Sequence, residues 1–163
     1  MLPTRKSTTL RGYDYSTPGI YFVTLCTQNR HHSFGYITPR GEMILSPLGV
    51  LVQQAWCDLP TRFSCLDPVS HQQFIVMPDH IHGFLHITAG GASPSPTLHQ
   101  ILGTFKSVTT IEINRLQGTS GQKIWQRSAY EHIVRNEADF ITTAKYIAEN
   151  PARWVEKYRI RDP

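Results

Sequence analysis

Gln72-Gln73-Phe74-Ile75-Val76-Met77-Pro78-Asp79-His80-Ile81-His82-Gly83-Phe84-Leu85-His86-Ile87-Thr88 holds two apolar runs rich in β-branched and aromatic residues, separated by a proline and an aspartate. Such runs favour extended backbone, and Pro78-Asp79 supplies the turn, so residues 72–77 and 80–88 read as an antiparallel hairpin. Side chains alternate between the two faces of a strand, so His80 and His82 point the same way and can hold one divalent metal. A His-x-His pair in a chain with eight histidines is equally compatible with surface or core imidazoles, so the pair alone leaves the question open. His86 shares their parity. At about 3.3 Å per residue it lies too far along the strand to reach the same ion.

Working outward, Gly19 to Thr27 follows a Thr17-Pro18-Gly19 turn signal and reads as a central strand. Glu42 to Leu45 reads as a short edge strand. Ser46-Pro47 then offers an N-cap and a proline at the first helical position, and Leu48, Leu51, Val52, Ala55 and Trp56 recur at helical spacing until Pro60. Residues 89–96 are Gly/Ser/Pro-rich and read as a flexible loop inside the domain. A second helix is expected from Thr97 to Gly118, with Leu98, Ile101, Leu102, Phe105 and Val108 on one face. Tyr130 to Val134 is a possible last strand. Asn136 caps a third helix expected to end at Asn150-Pro151. Hairpins alternating with helices point to an α+β protein, with helices packed on an antiparallel sheet in a ferredoxin-like topology, folded as a single domain over 1–163.

The chain has 163 residues, enough for one core without disulfides. Its three cysteines form no Cys-x-x-Cys pair, which argues against a disulfide framework. No apolar run approaches the roughly 20 residues of a membrane span, and nothing near Met1 reads as a signal peptide, so a cytoplasmic protein is expected. The net charge of +4 is compatible with a polyanionic partner. Basic side chains at Lys106, Arg115, Lys123, Arg127 and Arg135 interleave with Trp125 and Tyr130. That mixture suits single-stranded nucleic acid, although a solvated basic face beside an ordinary aromatic core would look the same.

The helix after Asn136 has an apolar stripe of Phe140, Ala144 and Ile147, while Asp139, Thr142, Thr143, Tyr146 and Asn150 follow another, more polar face. On spacing alone, Tyr146 either projects toward whatever the helix covers or packs at the rim of the core. Asn150 either contributes a side-chain oxygen one turn on or caps the helix before Pro151.

The combination of His80-Ile81-His82 on a strand with Tyr146-x-x-x-Asn150 on a late helix resembles the single-tyrosine HUH transposases, and within them the REP-associated tyrosine transposase-like proteins. The resemblance spans most of the chain: Arg11-Gly12-Tyr13-Asp14-Tyr15 leading into Tyr21-Phe22-Val23-Thr24; Val76 to Gly83; Phe105-Lys106-Ser107; Trp125-Gln126-Arg127 with Tyr130 to Arg135; and Lys145-Tyr146-Ile147 with Glu149-Asn150-Pro151. Members usually carry two aromatics where this chain has Ala129-Tyr130.

What the resemblance implies is a metal-dependent transposase acting on single-stranded DNA. Tyr146 is the implied nucleophile and forms a 5′-phosphotyrosine. His80, His82 and Asn150 are the implied ligands of Mg²⁺ or Mn²⁺. The implied substrate is a hairpin-forming or palindromic sequence. Lys106, Arg127 and Arg135 are candidates for DNA backbone contacts, Trp125 and Tyr130 for base stacking, and His132 lies at a family position. The expected assembly is a homodimer, with a monomer as the alternative. Two rival functions remain at this level: a hairpin-binding protein that does not cut, and a metal phosphoesterase that activates water instead of tyrosine.

Overall fold

The computed structural model describes residues 17–68, 73–88 and 96–158. The expected loop at 89–96 falls almost wholly outside the described residues. Four strands form an antiparallel sheet: β1 (Gly19–Cys26), β4 (Phe74–Met77), β5 (His80–Ile87) and β6 (Tyr130–Val134), in the order β4-β5-β1-β6. Helix α1 (Pro47–Cys57) with the single turn α2 (Leu59–Arg62) bridges β1 to β4, and α3 (Leu98–Gln117) bridges β5 to β6, which is the ferredoxin-like arrangement expected. Helix boundaries follow their caps. The Ser46 hydroxyl accepts from Gly49 N–H, Thr97 and Gln100 form a reciprocal capping box, and Gly118 closes α3 in the left-handed region at φ 66°.

The pleat of β1 and β5 builds two cores. Tyr21, Val23, Leu25, Ile81, Leu85 and Ile87 face α1 and α3, meeting Val52, Trp56, Leu102 and Phe105. Gly83 lies on this face because Trp56 crosses it: a Cβ there would stand 2.5 Å from Trp56 Cζ2 and 2.9 Å from Phe74 Cβ. The opposite face presents Phe22 and Phe84 to α4 (Glu137–Tyr158), which covers them with Ile147, Phe140 and Ala144.

Two elements differ from expectation. The short strand β3 (Met43–Leu45) pairs with β2 (Gly35–Ile37) in a separate two-stranded sheet and does not edge the main one. Helix α4 does not end at Pro151 but continues to Tyr158. Proline removes one N–H and crowds the preceding turn, at a cost of about 3 kcal/mol. Beyond it, Trp154 is buried against Ile37 and Met77, a burial worth roughly 2–3 kcal/mol, with Val155 packed beside it. The extra turns therefore offset the loss, and Asn150 is an interior helical residue, not a cap.

Candidate active site

The parity that sends Ile81 and Leu85 into the larger core sends His80 and His82 toward α4. Register fixes their neighbours on β1, with Cys26 opposite His80 and Thr24 opposite His82. On the other flank of β1, Tyr130 lies opposite Thr24 and His132 opposite Phe22. The two imidazoles are buried, at 6% and 4% exposure, with ring centroids 4.5 Å apart.

Each ring is held through Nδ1. His80 Nδ1 lies 2.6 Å from Asp79 Oδ1, and His82 Nδ1 lies 2.7 Å from Thr24 Oγ1. When Nδ1–H donates to a carboxylate or hydroxyl, the lone pair is on Nε2, the tautomer that a metal-ligating histidine needs. His82 Nε2 is buried and has no hydrogen-bond partner among the described residues. Burial, then the charges of His80 and Arg30, push the His82 pKa from 6.5 down to about 3, so at neutral pH the ring is uncharged.

Asp79 is 1% exposed and binds both His80 and Arg30, whose Nε lies 2.9 Å from Oδ2. Burial acts to raise its carboxyl pKa, but the hydrogen bond and charge of His80, with Arg30 and His32, outweigh it and hold the pKa below the ordinary value. Arg30 reaches this position from a left-handed turn, with Asn29 at φ 55° and Arg30 at φ 56°, and its Nη1 also meets Cys26 Sγ at 2.6 Å. Non-glycine residues rarely adopt that conformation, and such strain concentrates at functional sites.

Helix α4 brings the remaining groups. Asn136 Oδ1 accepts from Asp139 N–H and starts the helix. Phe140 then stacks on Phe84 at 4.6 Å and fixes the helix's rotation. Tyr146, 39% exposed, has its ring 5.3 Å from that of His82 and edge-on to Phe22. Arg153 lies 5.3 Å from the Tyr146 ring centroid, and the Trp154 ring is 6.2 Å from His80. His80, His82, Tyr146 and Asn150 line one cleft of about 650 Å³, all from one chain. Among the described residues no three His, Cys, Asp or Glu side chains cluster as a ligand set.

The other residues singled out in the sequence divide. Tyr130 and His132 line the cleft, and His132 Nε2 is 3.0 Å from both Asp139 oxygens. Arg127 and Arg135 are exposed on the segments flanking β6 but do not line it. Trp125 is a core residue, 6% exposed, donating from Nε1 to Thr109 Oγ1 at 2.8 Å; its ring is not presented to a base. Lys106 donates to the carbonyls of Gln126 and Arg127, and burial lowers its pKa, partly opposed by Glu131 and Cys26. It acts as an internal tie for the 126–127 segment, not as a surface cation. His86 lies 3.4 Å from Asp67, outside the cleft. Thr24, Arg30, Asp79, Arg153 and Lys157 were missed. Thr24 needs the β1–β5 register, Arg30 a turn visible only in space, and Arg153 and Lys157 become legible once α4 runs through Pro151.

A split βαβ sheet whose second face is closed by a helix carrying a tyrosine against two strand histidines defines the class. No family model matches the chain. It is 31% identical over 167 residues to an uncharacterized protein of Haemophilus influenzae, across 92% of this chain and 89% of that one, and it belongs to that protein's family. Its fold matches a REP-associated tyrosine transposase solved bound to a REP hairpin, with a TM-score of 0.57 and 18% identity over 89% of this chain and 73% of the other. A protein of Deinococcus radiodurans provisionally assigned as a transposase gives a TM-score of 0.51 and 20% identity over 86% and 95%. Both agree with the family resemblance carried by the motifs.

Among the described residues no helix is long and apolar enough to cross a membrane.

Proposed function

We propose that the protein is a single-stranded DNA transposase that cuts and rejoins strands at hairpin-associated sites through Tyr146. The observation that carries this reading is the Tyr146 ring 5.3 Å from a buried, neutral His82 whose Nε2 has no partner among the described residues. The hairpin component is supported by the shared fold with a protein solved on a REP hairpin.

The donor set fits a divalent metal, because two imidazoles and an amide oxygen line one cleft and one imidazole nitrogen has no other use there. His80, His82 and Asn150 would hold Mg²⁺ or Mn²⁺, which when bound supplies Lewis-acid polarisation of the scissile phosphate. Asp79, which only accepts, holds a proton on Nδ1 of His80 and leaves Nε2 for the metal, and Thr24 favours the same arrangement at His82 when its hydroxyl accepts from Nδ1. Tyr146 Oη forms a bond to phosphorus while the P–O3′ bond breaks. The phenolic proton leaves Tyr146, the departing oxygen becomes a 3′-hydroxyl, and the downstream strand stays on the protein as a 5′-phosphotyrosine. In the reverse sense an incoming 3′-hydroxyl attacks that phosphorus, the P–O bond to Tyr146 breaks, and the tyrosine recovers a proton. One phosphodiester is exchanged for another, so rejoining needs no external energy source. Because one chain supplies all four residues, the reading is of a site completed in cis, in a monomer or within each subunit of a homodimer.

The test uses a single-stranded hairpin oligonucleotide labelled at either end and incubated with Mn²⁺. A covalent adduct that retains only the 3′ label and disappears in Tyr146→Phe is expected. Free products without an adduct after trapping, or cleavage retained in Tyr146→Phe, would instead identify a water-activating phosphoesterase. Hairpin binding with no cleavage at all would identify a binding protein.

A further inference from the structure

The cleft does not stop at the tyrosine. Tyr146, Asn150, Arg153 and Lys157 follow one another at intervals of three and four, with Trp154 beside Arg153, so a single face of α4 lines the cleft for about 16 Å of helix axis. That is far longer than one phosphate requires. At the distal end stand three rings, with centroids 5.2 Å apart for His32 and Trp154, 6.2 Å for His32 and Tyr158, and 4.5 Å for Trp154 and Tyr158.

Of the three, only Trp154 is buried and needed by the core. His32 is exposed, and Tyr158 is 45% exposed. The core gains little from them, and Trp154 braces both from beneath. The cations that line the cleft are also accessible. Arg30 remains 44% exposed while holding Asp79, Arg153 pairs with Glu149 at the surface, and Lys157 makes no ion pair among the described residues and lies 5.2 Å from the Tyr158 ring centroid. Exposed rings beside an unpaired lysine suit a single strand, whose bases have free faces for stacking and whose phosphates attract the cation. A duplex offers no unpaired face to such a shelf.

We propose that His32, Tyr158 and Lys157, with Arg30, form a subsite for the single-stranded nucleotides that continue from the scissile phosphate, one base stacking on Tyr158 or His32 and its phosphate resting against Lys157. This rests on the DNA-cleaving reading above, and its test is separable from that reading.

Binding is measured by fluorescence anisotropy in EDTA, using a hairpin without a tail and the same hairpin carrying a single-stranded tail on one side or the other. In the wild-type protein a tail on one side is expected to tighten binding. Tyr158→Ala should lose about tenfold of that gain, Tyr158→Phe should keep it, and both should bind the tailless hairpin as the wild type does. Lys157→Gln should reduce the slope of log affinity against log salt by about 0.7, the value for one single-strand phosphate. A tail that adds nothing to wild-type affinity, or a gain unchanged in Tyr158→Ala, overturns the subsite while leaving the Tyr146 adduct as an independent readout. Absence of that adduct with intact hairpin binding would count against the cleavage reading instead.

Discussion

Lowering the pH should destabilise the metal-free protein through His82. In the unfolded chain this histidine titrates near 6.5, and in the folded protein its pKa is pushed down to about 3. Between those values the unfolded state binds a proton that the folded state refuses, so stability rises with pH across the window and is lost as pH falls. Each pH unit inside it is worth about 1.4 kcal/mol. Going from pH 7 to pH 5 should therefore remove about 2 kcal/mol, nearly all of it below pH 6.5. The ring is 4% exposed, so solvent screening subtracts little. The assay is urea unfolding followed by tryptophan fluorescence in EDTA, at intervals from pH 7.5 to pH 5, for wild type and His82→Gln. Groups other than His82 titrate in both proteins, so the difference in slope isolates this one. The variant should be flatter by about 2 kcal/mol over the interval. Histidine NMR on the wild-type protein gives an independent check, because the His82 ring should show no titration midpoint above pH 5. Equal pH slopes, or a midpoint near 6.5, would refute the claim that His82 is locked neutral by burial.

Asp79→Asn preserves shape and an acceptor for His80 while deleting the charge that binds Arg30. It should cost about 1.5–3 kcal/mol of folding stability and weaken Mn²⁺ binding roughly 10- to 100-fold, read from the signal of free Mn²⁺ in electron paramagnetic resonance. Unchanged Mn²⁺ affinity would mean that Asp79 has only a structural role. Gly83→Ala places a methyl 2.5 Å from Trp56 Cζ2, so the tryptophan must shift at about 1–3 kcal/mol. The loss should appear in the urea midpoint and not in Mn²⁺ affinity, since Trp56 lies on the sheet face opposite the histidines.

Much of this was legible because the relevant signals are local. Ser46-Pro47, Thr97, Gly118 and Asn136 act within one helical turn, and the alternation in β4 and β5 assigns each residue to a face without knowledge of what covers it. The failures share a different physics. Pro151 reads as a stop because its local cost is visible, whereas the compensating burial of Trp154 against Ile37 and Met77 depends on chain far away in sequence. Trp125 and Lys106 look like nucleic-acid contacts when they are read as types interleaved in sequence. Only the fold shows that Trp125 hydrogen-bonds across to Thr109 and that Lys106 spends its donors on two carbonyls. Tyr146 and Asn150 stayed ambiguous on spacing alone, and the rotation of α4, set by Phe140 on Phe84, decides where they point.

That dependence links stability to chemistry in α4. The helix is the lid of the second core, and the contacts that seal it, Ile147 and Phe140 on Phe22 and Phe84 and then Trp154 on Met77, alternate along its length with the groups that face the histidines. Loosening the seal must therefore move Tyr146 and Asn150 together relative to His80 and His82. Truncating Ile147 or Trp154 would thus disturb the geometry of the cleft before it disturbed the sheet, whose larger core against α1 and α3 contains neither residue. The two histidines are anchored the other way, by Thr24 and Asp79 on the strand side. The cleft is therefore built from two separately braced halves, a rigid pair of Nε2 atoms on the sheet and an adjustable tyrosine face on the helix.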